Sequence, residues 1–118
     1  MKMSNNSKSE EEIQNLRRNL EEIKAREGVL GYILRASTSA AVDIKDPSKI
    51  IGYAALSASV LESGEEISKI FNLGEIKTIL LEGADTKILS LITDDHRLSI
   101  FMEKKFDHKE LYADLSLS

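Results

Sequence analysis

The chain has two histidines, and each stands beside aspartate, in Asp94-Asp95-His96 and in Asp107-His108. Imidazole and carboxylate groups ligate metal ions and transfer protons. Consecutive residues in a tight hairpin rarely converge on one ion, however, and no second cluster could complete a coordination shell. Because aspartate favours turns, we interpret the first cluster as a turn and the second as a helix cap with a surface histidine. We therefore expect no metal site.

Other patterns typical of catalysis or nucleotide binding are missing from the sequence. There is no cysteine, which removes thiol catalysis, thiolate ligands and disulfides together. No Gly-x-Ser-x-Gly segment could expose an activated serine, and no GxxxxGK[ST] or GxGxxG segment could hold the phosphates of a nucleotide. We expect no catalytic residues, no cofactor and no enzymatic activity from this chain alone.

Composition argues against nucleic acid and membrane as partners. The formal net charge is −4, whereas nucleic acid and anionic lipid attract basic surfaces. The pairs Arg17-Arg18 and Lys104-Lys105 fit solvated faces, and aromatic residues form only 5% of the chain, too few for a base-stacking platform. No apolar run approaches the ~20 residues that cross a bilayer, and the first residues lack the apolar segment of a signal peptide. We expect a soluble, cytoplasmic protein.

Hydrophobic spacing predicts one domain over residues 9–118, after a polar tail at 1–8. Consecutive short strands with tight turns indicate an antiparallel meander. Apolar residues on both faces of these strands indicate helices on both sides of the sheet. The predicted order is a helix at 9–26, strands at 29–36 and 40–44, a long helix, strands at 76–82, 86–93 and 97–104, and a short helix at 107–117.

The stretch from Pro47 to Gly83 organises the predicted fold. Asp46 is a suitable N-cap, and proline suits the first helical position. A helix over residues 48–72 would be about 37 Å long at 1.5 Å per residue, whereas a seven- or eight-residue strand spans only about 25 Å. We expect the helix to continue through Gly64 and to end where Gly74 supplies a left-handed cap.

This helix is too apolar to have a single buried face. At helical spacing, one stripe can cover the chain's own sheet, and the second stripe needs another partner. This surplus of apolar surface on the helix predicts a protein that functions by binding another protein. The first stripe comprises Tyr53, Leu56, Val60, Ile67 and Phe71, and the second comprises Ile51, Ala54, Ala55, Ala58 and Leu61.

Three segments resemble the roadblock/dynein light chain family, which includes bacterial and archaeal regulators of Ras-like GTPases. They are LEEI at 20–23, EGVLG at 27–31 and LGEIKTILLEG at 73–83. The similarity extends over roughly residues 9–104. Two segments depart from the family pattern: Ser37-Thr38-Ser39 replaces an aspartate–glycine turn, and FDHKELYADLSLS replaces the usual start of the last helix.

The resemblance implies an α+β fold, an α/β sandwich of the profilin-like/roadblock type. A five-stranded antiparallel sheet would carry the long central helix on one face and the terminal helices on the other. It also implies a homodimer, formed by the central helices and the edge strand after them, with a continuous ten-stranded sheet. The implied interface residues are Ile51, Ala54, Ala55, Ala58, Leu61, Ile76, Thr78 and Leu80.

Three functions follow from the resemblance and the surplus apolar surface. The first is a non-enzymatic homodimer that binds and regulates a small Ras-like GTPase, which would supply the nucleotide and the catalytic residues. The second is a dimerisation scaffold of a larger protein assembly, without effect on GTP hydrolysis. The third is a sensor of a small ligand, which ranks last because few polar residues interrupt the apolar faces.

Overall fold

The computed structural model describes residues 14–37, 39–93 and 95–115. The first helix, α1, covers 14–24 of these residues. The predicted tail at 1–8 and the predicted helix start at 9 lie outside the described residues, as do Thr38, Asp94 and 116–118. The remaining elements are β1 (Val29–Ala36), β2 (Ala40–Ile44), a 3₁₀ turn (Pro47–Lys49), α2 (Ile50–Phe71), β3 (Thr78–Glu82), β4 (Thr86–Ile92), β5 (His96–Glu103) and α3 (Lys109–Asp114).

The five strands form one antiparallel sheet in the order β2-β1-β5-β4-β3. This confirms the predicted sheet and its predicted edge strand. The bounds of β1 and β2 are those expected from the sequence, whereas β3 begins at Thr78 rather than at Ile76. The two edges of the sheet are therefore β2 and β3.

Two hydrophobic layers confirm that helices lie on both sides of the sheet. The terminal helices α1 and α3 pack on one face through Leu16, Leu20, Ile23, Leu111 and Leu115, which are all buried. The central helix α2 covers the other face, where Val60 packs with Ile33, Ile44, Ile88 and Phe101.

Polar contacts fasten α1 to the strands beneath it. The hydroxyl of Tyr32 donates to a carboxylate oxygen of Glu21 at 3.0 Å. Burial, and then this hydrogen bond, raise the pKa of Tyr32 to about 12. Lys24 pairs with Asp43 of β2. These contacts hold α1 over the β1–β2 side of the sheet.

Both ends of α2 differ from the prediction: Asp46 and Pro47 begin the 3₁₀ turn, and α2 itself begins at Ile50, where Lys49 makes no side-chain cap. The carboxylate of Asp46 accepts the backbone N–H of Ser48 at 3.0 Å, with proline at the first position of the turn. At the other end the left-handed cap is Asn72, with φ 55°, and not Gly74. Asparagine tolerates this conformation better than most residues, and Leu73 N–H then bonds to the carbonyl of Ser68.

The buried face of α2 is not the predicted apolar stripe. Leu56, Ile67 and Phe71 were expected in the core, but they are 37%, 49% and 68% exposed. Tyr53 and Val60 do face the sheet. The residues of α2 that are fully buried are Ser57, Val60, Leu61, Gly64 and Ser68.

Small side chains explain this choice of face. The hydroxyl of Ser57 lies 2.7 Å from that of Ser99 in β5, which in turn lies 3.0 Å from that of Ser90. A Cβ added to Gly64 would lie only 2.4 Å from Cδ1 of Ile79. Small residues let the helix approach the sheet closely, and the paired hydroxyls satisfy the polar groups buried there.

Candidate interaction surface

The outer edge of β3 carries backbone groups that no strand of the described chain pairs with. The carbonyl of Lys77 accepts from Ile92 N–H at 2.8 Å, and Gly83 N–H donates to the carbonyl of Thr86 at 2.9 Å. In an antiparallel strand, alternate residues direct their backbone groups to opposite sides. The N–H and C=O groups of the residues between them, at Thr78, Leu80 and Glu82, therefore point away from β4.

The side chains of β3 leave apolar surface on both faces of this edge. Leu81 lies opposite Ile88, on the α2 face, and is 46% exposed. Leu80 lies opposite Leu89, on the α1–α3 face, and is 38% exposed. Neither proline nor lysine lies within β3. Apart from the charge of Glu82 at its end, the strand carries no charged side chain or proline to oppose pairing with another strand.

The contacts of two arginine side chains with α2 show how this helix is rotated above the sheet. Nη2 of Arg97, in β5, lies 2.8 Å from Glu65 Oε1, and Nη2 of Arg35, in β1, donates to the carbonyl of Ala54 at 3.3 Å. One flank of α2 is thereby tied toward β1 and β5, so the opposite flank lies on the side of β3. We call this opposite flank the β3-side flank; its exposed residues are Leu56, Ser59, Ser63, Ile67 and Ile70.

The interface residues expected on α2 differ in their exposure in the structure. Ile51 is 85% exposed, and Ala55 and Ala58 are exposed with it, but they do not belong to the β3-side flank. Ala54 is half-buried against the core. Leu61 is 5% exposed, so its side chain packs inside the single chain.

The interface residues expected near β3 do lie together at the edge. Ile76 is half-buried just before the strand, and Thr78 and Leu80 are exposed within it. Sequence reasoning missed Ile67 as a surface residue because it was counted toward the core. The signal that could have placed it was the row of small residues at Ser57 and Gly64, which marks the buried face instead.

The first histidine–aspartate cluster is only partly described, because Asp94 lies outside the described residues. No group of three or more histidine, cysteine, aspartate or glutamate residues in the described parts of the chain could hold an ion. Nζ of Lys87, which is 5% exposed, lies 3.2 Å from Nδ1 of His108.

Among residues 14–37, 39–93 and 95–115, no helix is long and apolar enough to cross a bilayer.

Known proteins resemble this chain in structure and not in sequence. No family model matches the sequence, and no curated protein matches it significantly. The crystal structure of a Roadblock/LC7 domain from Streptomyces avermitilis superposes with a TM-score of 0.66 at 14% identity, over 88% of each chain. That of MglC from Myxococcus xanthus superposes with a TM-score of 0.51 at 13% identity, over 86% of this chain and 90% of the other.

Proposed function

Since the chain has the roadblock/LC7 fold, we propose that it is a non-enzymatic homodimer that binds and regulates a small Ras-like GTPase. The observation that carries the proposal is the open β3 edge beside the exposed apolar flank of α2. An unpaired edge and a long apolar helix flank on one side of a sheet both favour association with another protein. The sequence resemblance to regulators of Ras-like GTPases supports the choice of partner.

A second copy of the chain fits the β3 edge in a self-complementary register. If two β3 strands pair about a two-fold axis at Leu80, Thr78 lies opposite Glu82 of the partner and Ile79 lies opposite Leu81. This register pairs every outward backbone group of the strand and keeps the two glutamates apart. Because both copies offer the same patch, the interface is isologous and closes at a dimer.

The same two-fold axis brings the two α2 helices together on one face of the joined sheet. Each would present its β3-side flank, including Leu56, Ile67 and Ile70, which are 37%, 49% and 68% exposed in the single chain. Burying a large aliphatic side chain contributes roughly 1.5–3 kcal/mol. The dimer would therefore cover apolar surface that the sheet of one chain leaves open.

A cysteine at Leu80 should cross-link the dimer. Directly opposite residues in a hydrogen-bonded antiparallel pair have Cα atoms about 5.5 Å apart, and the chain has no native cysteine to interfere. We expect Leu80→Cys to give a covalent dimer with a short bis-maleimide, detected by denaturing electrophoresis. The control is Val42→Cys on the opposite edge, where Val42 is 45% exposed; it should stay monomeric on the gel. Equal cross-linking of both variants would contradict the β3 register.

Binding to a GTPase is tested with the Ras-like GTPases of the same cell. We expect one of them, loaded either with GDP or with a non-hydrolysable GTP analogue, to bind this protein in calorimetry. We also expect its affinity to differ by at least about tenfold, or 1.4 kcal/mol, between the two nucleotide states. GTP turnover or nucleotide exchange should change on binding. If no GTPase binds in either state, the proposal is wrong.

A scaffold without effect on hydrolysis is the second candidate, and the arginines favour it. Arg35 donates to a carbonyl of α2, and Arg26 and Arg97 pair with Asp114 and Glu65. These three side chains are engaged within the chain, so of the five arginines only Arg17 and Arg18, which are exposed on α1, could reach a GTPase site in trans. Complex formation with unchanged turnover and unchanged exchange would select the scaffold.

A further inference from the structure

A cleft of about 510 Å³ opens at the end of the sheet where α2 begins. Its walls come from the start of α2, from the turn between β3 and β4, and from the end of β5. The volume lies within the roughly 300–1,000 Å³ typical of small-molecule sites. The cleft lies outside the surface formed by the outward groups of β3 and the β3-side flank, and the proposed dimer does not account for it.

Apolar and aromatic groups form part of the cleft wall. Leu30, Ile44 and Tyr53 line it. The ring of Tyr53 stacks on Phe101 with centroids 4.4 Å apart and planes 6° apart, so its position is held by the core. Tyr53 is half-buried, and none of the side-chain hydrogen bonds found among the described residues involves its hydroxyl. The wall thus offers a rigid apolar surface with one available hydroxyl.

The rim of the cleft carries four lysines and three acids. Two of the acids are already engaged. The carboxylate of Asp46 accepts from N and Oγ of Ser48 at 3.0 and 2.8 Å, which holds the pKa of this exposed carboxyl below its usual range. Glu103 lies 3.7 Å from Lys105. Asp85 is the one remaining acid.

Three of the four lysines make no ion pair with a carboxylate among the described residues, although the charge of Lys49 is close enough to help lower the pKa of Asp46. The ion pairs of the described residues include neither Lys49 nor Lys104. Lys45 donates to the backbone carbonyl of Arg26 at 3.1 Å, so its charge is not neutralised by a carboxylate. Hydrogen bonding leaves the negative charge of Asp46 in place, so four lysines against three carboxylates give the rim a small positive excess in a chain of net charge −4.

We propose that this cleft binds a small organic anion. Its apolar body would lie against Leu30, Ile44 and Tyr53, and its carboxylate or phosphate would be held by Lys49 and Lys104. Burial of the apolar body favours binding in proportion to the area covered, and charge-assisted hydrogen bonds from lysine to an anionic oxygen are stronger than neutral ones. The site does not depend on dimerisation or on a GTPase.

Nuclear magnetic resonance titration of the ¹⁵N-labelled full chain tests the site with phenyl phosphate and benzoate as probes. We expect at least one of them to shift the amides of Lys49, Tyr53, Asp85 and Lys104 saturably. Phenol, which lacks the charge, and inorganic phosphate, which lacks the apolar body, should bind at least about tenfold more weakly, equivalent to 1.4 kcal/mol. Equal binding of phenol would overturn the role of the lysines.

Paired substitutions distinguish this site from general attraction of anions. The double variant Lys49→Gln/Lys104→Gln should weaken binding of the better probe at least about tenfold, or 1.4 kcal/mol. The control Lys109→Gln removes an exposed lysine of α3 that does not line the cleft, and it should bind as the wild type does. Unchanged affinity of the double variant, shifts confined to other regions, or no saturable shift with either probe would overturn the proposal.

Discussion

Replacing Ile67 by glutamate should convert the protein from a dimer into a monomer. Ile67 is 49% exposed in the middle of the β3-side flank, where the proposed two-fold axis buries it against the partner helix. A carboxylate there would lose its hydration without gaining a counter-charge, and the symmetry would introduce it twice. Truncating or charging a central interface residue typically costs about 2–4 kcal/mol or more. We expect the dimer dissociation constant to rise at least about a hundredfold, measured by sedimentation equilibrium.

Ile51→Glu is the matched control for this variant. Ile51 is the same residue type on the same helix and is more exposed, at 85%, but it does not belong to the β3-side flank. Its substitution should leave the dimer constant unchanged. If Ile51→Glu gives monomers and Ile67→Glu does not, the helices associate through the stripe expected from the sequence, and the assignment of the β3-side flank is wrong.

Replacing Gly31 by alanine should strongly lower the free energy of unfolding. Gly31 lies in β1 beside an irregularity in its pairing with β5. Its φ is +146°, which L-residues rarely adopt, and an added Cβ would lie 2.4 Å from the carbonyl oxygen of Asp43 and 2.7 Å from Cα of Ile44. Both are backbone atoms of the β2 region, so the β1–β2 pair would have to open. We expect the free energy of unfolding to fall by about 2–4 kcal/mol in urea titrations.

Gly52→Ala provides the opposite control in the same experiment. Gly52 is exposed within α2, and an added Cβ meets no atom within 4 Å. Alanine favours the helix and reduces the freedom of the unfolded chain. This substitution should therefore raise the free energy of unfolding by about 0.5–1 kcal/mol. A similar, small effect of both substitutions would contradict the close approach at Gly31.

The fold was predictable because local signals punctuate the chain. The expected bounds of β1 and β2 agree with the structure, and Asp46 with Pro47 marked the 3₁₀ turn that leads into the long helix. The end of that helix was harder to predict, because both Asn72 and Gly74 suit a left-handed cap. Both residues have positive φ in the structure. Either one could have supplied the cap by its residue type, and the sequence offered no means of choosing between them.

The orientation of α2 was not predictable from spacing alone. Hydrophobic periodicity treats leucine and isoleucine as core residues, yet this helix approaches the sheet through Ser57 and Gly64. What decides the orientation is contact with residues far along the chain, namely the hydroxyl of Ser99 and the side chains of Arg35 and Arg97. These contacts exist only once the strands are assembled, and the small residues Ser57 and Gly64 are the one local sign of the buried face.

The two surfaces differ in how far the sequence indicated them. The β3 edge was expected, because the family resemblance placed 76–82 at the edge. The cleft was not expected from the sequence, because its charged groups, which include Lys49 and Lys104, come from the segments that connect the strands and the helix. The polarity of strand and helix faces gives no information about residues that the topology brings together from separate turns.

The mass of the wild-type protein in solution shows whether two chains associate. One chain has a mass of 13.2 kDa. In sedimentation equilibrium at micromolar concentration, the proposed pairing through β3 and α2 predicts a species of twice that mass. A species of 13.2 kDa that persists as the concentration rises would contradict the dimer, and with it the proposal that this edge is where the protein associates.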